Sequence, residues 1–459
     1  MEKLIVTNFL NIKHIELDLG KINILIGPQA QGKSVVAKLV YFFKNSIVEY
    51  FKFLIHDRNN FDTFLLNKFK NIFPQIYWIE QDFEITYHIY NCSLILKYKK
   101  EFKGNQFVID GNIDISLKKR TSSKEEYNNQ YLEVRNLDLA LKALQNRLAS
   151  MEAVSENISD IEDLKQISID LKEIINKKNQ YEDFLKKIDK IIQIKIKEPL
   201  IYRFLFIPSG RSFFSFLKEN IFSLVETFQF DYFIKAFGDI YNRSDTKYEY
   251  QNRVQKNNYS PIIDVLSKRI LKGKYIYDEQ EIDFITSDDG RKIRLVDASS
   301  GQQEALPIIV LLSVFGLSND DCYFFIEEPE AHLFPETQND IVNLMSLIFN
   351  ITGKRHSFFI TTHSPYILTA FNTLIQAGNT YKKIIADKRE DQLQELFQIV
   401  PENQMLDIND VRVYSLQNGE IESIINEEFQ VIDTNVIDEI SNFTGNQFDK
   451  LLDLKYFNE

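Results

Sequence analysis

The sequence predicts an α/β fold: a P-loop core with a mixed sheet, an antiparallel β subdomain and an inserted helical, coiled-coil-like hairpin. Three observations lead there. Apolar runs at Ile22–Ile26, Tyr323–Ile326 and Phe358–Thr362 have the length and density of buried strands, each closed by a loop or a polar turn. Segment 82–117 alternates in strand fashion, with Phe83–Tyr87, Leu94–Lys97 and Ile113–Ile115 separated by turn residues. Residues 124–193 almost lack Gly and Pro and space their apolar side chains three or four apart, which is helical periodicity.

Taken in order, Leu4–Asn8, Ile15–Leu19 and Ile22–Ile26 read as strands leading into Gly27-Pro28-Gln29-Ala30-Gln31-Gly32-Lys33-Ser34. This octet fits the Walker A pattern G-x-x-x-x-G-K-[ST], and Val35 to Tyr41 reads as the start of the helix that must follow it. In that setting the loop N–H groups and the helix N-terminus cradle phosphate. Lys33 reaches the β- and γ-phosphates, and the Ser34 hydroxyl ligates Mg²⁺. Residues 27–35 are the candidate ATP-binding set, and the pattern implies a chain that binds a nucleoside triphosphate with Mg²⁺.

The helix runs to about Ile55. Two helices are expected within 124–193, parted by the polar turn Ser155–Asp160, the second about 50 Å long at ~1.5 Å per residue. They form either a coiled-coil-like hairpin or two amphipathic helices packed on the body. A strand at Tyr202–Ile207, closed by Pro208-Ser209-Gly210-Arg211, returns the chain to the core, and aromatic-rich helices occupy Phe213 to Phe237. Next come a hairpin (Glu281–Thr286 and Lys292–Val296), a helix from Ala305 and, at the end, an amphipathic helix over Val436–Leu454. Four units follow: an N-terminal lobe with the phosphate loop and β subdomain (1–120), the inserted hairpin (121–200), a helical subdomain with a β-hairpin (201–295), and a C-terminal lobe (296–459).

The chain has 459 residues and a net charge of −12, which argues against a generally basic nucleic-acid binder. Its two cysteines, Cys92 and Cys322, lie far apart without metal-ligand spacing, as expected of core residues in a reduced, cytoplasmic protein. Lys3-Leu4-Ile5-Val6 opens without a signal-peptide pattern. No apolar run approaches the ~20 residues needed to span a bilayer, so no membrane partner is expected.

The C-terminal lobe holds three further motifs: Ala298-Ser299-Ser300-Gly301-Gln302-Gln303-Glu304, Glu327-Glu328-Pro329-Glu330-Ala331-His332-Leu333, and Thr361-Thr362-His363-Ser364-Pro365. A carboxylate at the C-terminal tip of a buried strand faces a nucleotide crevice, which places Glu327 to hold Mg²⁺ through its water shell. Glu328 is the candidate to orient and polarise the attacking water. His363, at the tip of a neighbouring strand, is placed to hydrogen-bond the γ-phosphate.

The order and spacing of these motifs after a Walker A resemble the ATP-binding cassette (ABC) ATPases, in the soluble branch containing the Rad50, RecF and OLD-family proteins. The resemblance makes Ser300-Gly301-Gln302-Gln303 the signature loop, 327–333 the Walker B and D-loop, and His363 the switch histidine. It implies that Ser299, Ser300, Gly301, Gln302 and Gln303 of a second protomer close over the γ-phosphate, so the active site exists only in a homodimer or higher homo-oligomer. Two positions depart from the pattern. Glu327 stands where many relatives have Asp, and Gln302 replaces the second glycine of the transporter-type signature. Gln75 and Gln81 both fit the order of a Q-loop glutamine.

Many OLD relatives carry a nuclease that needs a Glu and an Asp-x-Asp pair on Mg²⁺. Fewer than a hundred residues follow His363, and Asp407-Ile408-Asn409-Asp410 has the wrong spacing, so no nuclease of its own is expected. The resemblance to Septu- and PARIS-type antiphage ATPase subunits implies a sensor or scaffold that controls a separate effector nuclease, with DNA or a phage-derived molecule as trigger. The alternative is a RecF- or Rad50-like repair ATPase that clamps DNA. A transporter subunit is disfavoured by the Ser-Ser-Gly-Gln-Gln signature, the large insertion and the Glu-Pro-Glu-Ala-His segment.

Overall fold

Strand β3 (Ile22–Ile26) is apolar except for Asn23 and buried at every residue, as a strand must be when both faces of its sheet are covered. The computed structural model that shows this describes residues 2–56, 61–89, 92–100, 104–111, 203–214, 231–242, 244, 248, 260–277, 283–433, 447 and 449–451. Before β3 come β1 (Glu2–Phe9) and β2 (Ile12–Asp18). After it come α1 (Lys33–His56), α2 (Phe61–Ile72), β4 (Phe83–Ile89), β5 (Cys92–Lys99), β6 (Gly104–Gly111) and β7 (Arg203–Ile207). The chain continues through α3 (Tyr232–Asn242), α4 (Ser260–Leu271), β8 (Lys274–Tyr277), β9 (Asp283–Thr286), β10 (Lys292–Arg294) and α5 (Ser300–Gly316). It then forms β11 (Cys322–Glu327), α6 (Pro335–Ile351), β12 (Ser357–Thr362), α7 (Pro365–Ala386), α8 (Leu393–Ile399), β13 (Val411–Gln417) and β14 (Glu420–Ser423).

Among the described residues one mixed sheet has the order β6-β5-β4-β1-β2-β14-β13-β3-β12-β11-β7. Its first five strands are an antiparallel lobe. Strands β13, β3, β12, β11 and β7 run parallel to one another, which brings the C-terminal ends of β3, β12 and β11 side by side. Alternation sends the core strands' side chains to two apolar faces. Ile22, Ile24, Phe324, Ile326, Phe358 and Ile360 pack with α5, α6 and α7. Leu25, Tyr323, Phe325 and Phe359 pack with Val36, Leu39, Val40 and Phe43 of α1. Cys322 is a free, buried thiol pushed up to about 12 by that burial, an inert core group.

Several expectations shift. A strand runs over Gly104–Gly111, earlier than the one expected at Ile113–Ile115, because β6 pairs in register along β5 (Leu94↔Ile109, Leu96↔Phe107); Ile113–Ile115 lies outside the described residues. The hairpin at 283–294 gains a third strand, β8, which pairs with β9. The helix expected from Ala305 starts at Ser300, since Ser299 caps it and Gln302 closes a capping box. Asp407 caps and Asp410 ends a 3₁₀ turn (Ile408–Asp410), and they pair with Lys382 and Lys354 at 2.6 Å each. The hairpin at 121–200 and most of Val436–Leu454 lie outside the described residues.

Candidate active site

Between β3 and α1 the phosphate loop turns through two left-handed residues, Ala30 (φ 62°) and Gly32 (φ 101°). Neighbouring turns hold it in place. Asn11 Nδ2 donates to the Ala30 carbonyl at 2.8 Å, and Gln31 Oε1 accepts from the Asn418 N–H at 2.8 Å. Gly27 has no room for a side chain: a Cβ there meets the Leu416 carbonyl oxygen at 2.2 Å. Pro28, Gln29, Ala30 and Ser34 are exposed, while Gln31, Gly32 and Val35 are partly so.

Lys33 is 5% exposed. Its Nζ donates to the Gly27 and Pro28 carbonyls at 2.7 Å each and lies 3.0 Å from His363 Nδ1. Burial lowers its pKa to about 8, against the opposing pull of Glu328 and Glu330. Above that pH the folded chain binds fewer protons at Lys33 than the unfolded one, so this group's contribution to stability rises between about 8 and 10.5. Phosphate binding needs the proton. ATP affinity is therefore expected to be flat below pH 8 and to weaken by roughly tenfold per unit above it, while Lys33→Arg removes that slope. Titration calorimetry from pH 7 upward checks this.

Glu327 ends β11, buried to 5% exposure. Burial raises its pKa, opposed by a hydrogen bond from Ser34, the charge of Lys38 and the Ser209 N–H. Its Oε1 has no partner among the described residues. An orphaned buried carboxylate oxygen beside the Ser34 hydroxyl is a hard-oxygen donor pair that suits Mg²⁺. Among the described residues no three His, Cys, Asp or Glu cluster as a self-sufficient metal site, so phosphate oxygens would complete the ion's shell.

Glu328 adopts φ 44°, a left-handed conformation costing roughly 1–2 kcal/mol in a residue with a side chain. Its N–H donates to the Thr361 carbonyl at 2.8 Å, and its Oε1 lies 2.9 Å from His363 Nε2. The Glu328 and His363 side chains are 35% and 31% exposed, enough for water to reach the pair. Lys33, His363 and Glu328 thus form one chain of contacts across the tips of β3, β12 and β11. The Nε2–H tautomer of His363 accepts from Lys33 and donates to Glu328, whereas a proton on Nδ1 is donated to the Gly27 carbonyl at 3.1 Å.

Residues not singled out for a role hold this row in place. Glu330 Oε1 accepts from the His363 N–H and the Thr362 hydroxyl, both at 2.7 Å. Gln338 links the Leu333 carbonyl to Ser364. The three-residue step from Glu327 to Glu330 was the available signal for the first; Gln338 had none. His332 is exposed, with φ 58°. Gln81 is bonded to both backbone groups of Leu10, behind the Asn11 turn, whereas Gln75 opens a 3₁₀ turn.

Ser299 and Ser300 are exposed at the start of α5, with Gly301 partly so. A Cβ on Gly301 meets the His332 carbonyl at 2.8 Å, so the two loops touch within one chain. Gln302 donates to the Leu271 carbonyl at 2.7 Å, and Gln303 to those of Leu295 and Val296 at 3.0 and 3.1 Å. Both glutamine side chains are thus engaged with carbonyls of their own chain. The departure at Gln302 has a local cause: it closes the capping box of α5.

A family model described as AAA ATPase domain matches residues 1–368. No curated protein matches the chain. Among solved structures it is similar to an Smc head domain with an extended coiled coil from Pyrococcus furiosus, bound to the C-terminal domain of ScpA (10% identity, 96% of this chain and 100% of that one, TM-score 0.35). It is also similar to the SMC head domain from Thermotoga maritima (10% identity, 92% and 97% covered, TM-score 0.33). A third similar structure is the recombination mediator protein RecF (12% identity, 92% and 97% covered, TM-score 0.29).

Proposed function

The chain belongs to the AAA ATPase domain family, and on that premise we propose that it is a Mg²⁺-dependent, ABC-type ATPase of the Rad50, RecF and OLD branch, active as a homodimer or higher homo-oligomer. The observation that carries this reading is the contact row Lys33–His363–Glu328 beside the buried Glu327. The loop N–H groups and Lys33 bind the triphosphate. Glu328 accepts the proton of the attacking water, and His363 holds the Glu328 carboxylate through Nε2 and meets the γ-phosphate side of the site through Nδ1. Mg²⁺, held by Ser34 and Glu327, supplies charge neutralisation of the phosphates. The exposed Ser300 and partly exposed Gly301 of a second protomer close the site, and Ser299 with Gln302 and Gln303 holds their helix start in shape.

Ser300→Arg tests the shared site. It is expected to leave ATP affinity unchanged and abolish turnover, because the bulk stands on the face that meets the partner. Unchanged turnover would mean that one chain is complete by itself.

In the cell we assign the ATPase to a sensor or scaffold that controls a separate effector nuclease in bacterial antiphage defence, without a nuclease site of its own. The support for this is an analogy: an ATPase of this branch with a short insertion resembles Septu- and PARIS-type subunits. A RecF-like DNA clamp rests on the same motifs, and the net charge of −12 favours a protein partner over DNA. DNA-stimulated turnover that falls steeply with salt would reverse that preference.

A further inference from the structure

Arg211 has no part in the chemistry above, yet its side chain is wholly buried directly behind the two acidic residues. Its Nε donates to the Glu304 carbonyl at 2.9 Å. Nη1 donates to the Pro208 carbonyl at 3.1 Å and the Glu327 carbonyl at 2.7 Å, and Nη2 donates to the Glu328 carbonyl at 3.0 Å. The buried Glu304 carboxylate lies 3.2 Å from Nε as counter-charge. A cation this deep needs a counter-charge and hydrogen bonds, and here the four bonds to carbonyls have a pattern. The carbonyls of Glu327 and Glu328 belong to the two peptide planes on either side of the Glu328 α-carbon. Gripping both fixes the φ and ψ of the one left-handed residue on which the chemistry depends. The remaining bonds tie that grip to the end of β7 and to the first turns of α5, the helix that Ser299–Gln303 open.

We propose that Arg211 is a positioning residue for Glu328: it holds both flanking peptides so that the carboxylate points at the attacking water, and through Glu304 it makes that direction depend on where α5 sits. The inference rests on the reading of Glu328 as the base. A partner docking on the start of α5 then reaches Glu328 through a single guanidinium.

Arg211→Lys keeps the charge and loses the planar fork. It is expected to lower kcat by on the order of 10²-fold per nucleotide-binding site, with KM and ATP affinity unchanged. In a Glu328→Gln background the same substitution is expected to lower turnover no further, because its effect passes through Glu328. An unchanged kcat, or two losses that multiply, overturns the proposal, since a purely structural role would act in either background. Should Arg211→Lys not fold, Glu304→Gln replaces it in the same cycle, with a smaller loss that also vanishes beside Glu328→Gln; losses that multiply there again overturn it. If Glu328→Gln is impaired and Arg211→Lys is not, only the positioning role falls. If neither is impaired, the assignment of Glu328 falls with it.

Discussion

Glu328→Gln is expected to bind ATP as the wild type does, to hydrolyse it about 10²–10⁴-fold more slowly, and to accumulate as a closed dimer. The amide matches the carboxylate in shape, and its oxygen keeps the 2.9 Å contact with His363 Nε2, so the fold and the row of contacts persist. What disappears is the ability to accept a proton from water. The γ-phosphate then stays in place, and whatever it holds together stays together. Turnover and light scattering with and without ATP check both parts. Wild-type turnover in this variant would remove Glu328 from its role.

Replacing Lys33 with Ala acts one step earlier. It deletes the only cation that the phosphate loop itself contributes and leaves the Gly27 and Pro28 carbonyls, each now 2.7 Å from its Nζ, facing the site without their donor. Hydrogen bonds to charged groups contribute roughly 1.5–3 kcal/mol each, so the loss of the phosphate contacts is expected to raise the Kd for ATP by on the order of 10²-fold or more. The dimer should no longer form at ATP concentrations that assemble the wild type. Equilibrium dialysis with labelled nucleotide measures the first effect, and undiminished binding contradicts the site. The two variants separate cleanly: one loads and stalls, the other never loads.

The strands at Ile22–Ile26, Tyr323–Ile326 and Phe358–Thr362 were legible because a strand covered on both faces becomes a mostly apolar run, interrupted here by Asn23, Thr361 and Thr362, and their observed ends differ from the readings by a residue at most. Strand β13 was not legible in the same way. Val411–Gln417 mixes apolar and polar residues, and its partner β3 lies some 390 positions earlier. Turn chemistry misled in two places. Residues 104–111 fell between the strands expected at Leu94–Lys97 and Ile113–Ile115, where turn residues were expected, although their pairing with β5 is continuous. Ser299-x-x-Gln302 is a capping-box spacing that moves the helix start forward into the signature residues.

At the site, residues on strand tips were readable from motif spacing, and those that act from behind were not. Arg211 follows Pro-Ser-Gly and so reads as part of a solvated turn. Its complete burial goes with the convergence of three carbonyls from two distant segments, beside that of Pro208 in its own turn, which no local pattern encodes. Glu330 sat in plain view inside the Walker B segment, but its hold on the His363 backbone depends on β12 lying next to β11.

The place of β13 in the sheet has a consequence for biosynthesis. Residues 22–26 leave the ribosome early, but one of their two neighbouring strands is residues 411–417, and the Gly27 backbone rests against Leu416. At translation rates of roughly 5–20 residues per second the nascent segment waits on the order of tens of seconds for that neighbour. The loop after β3 therefore gains its last backing strand only near the end of synthesis.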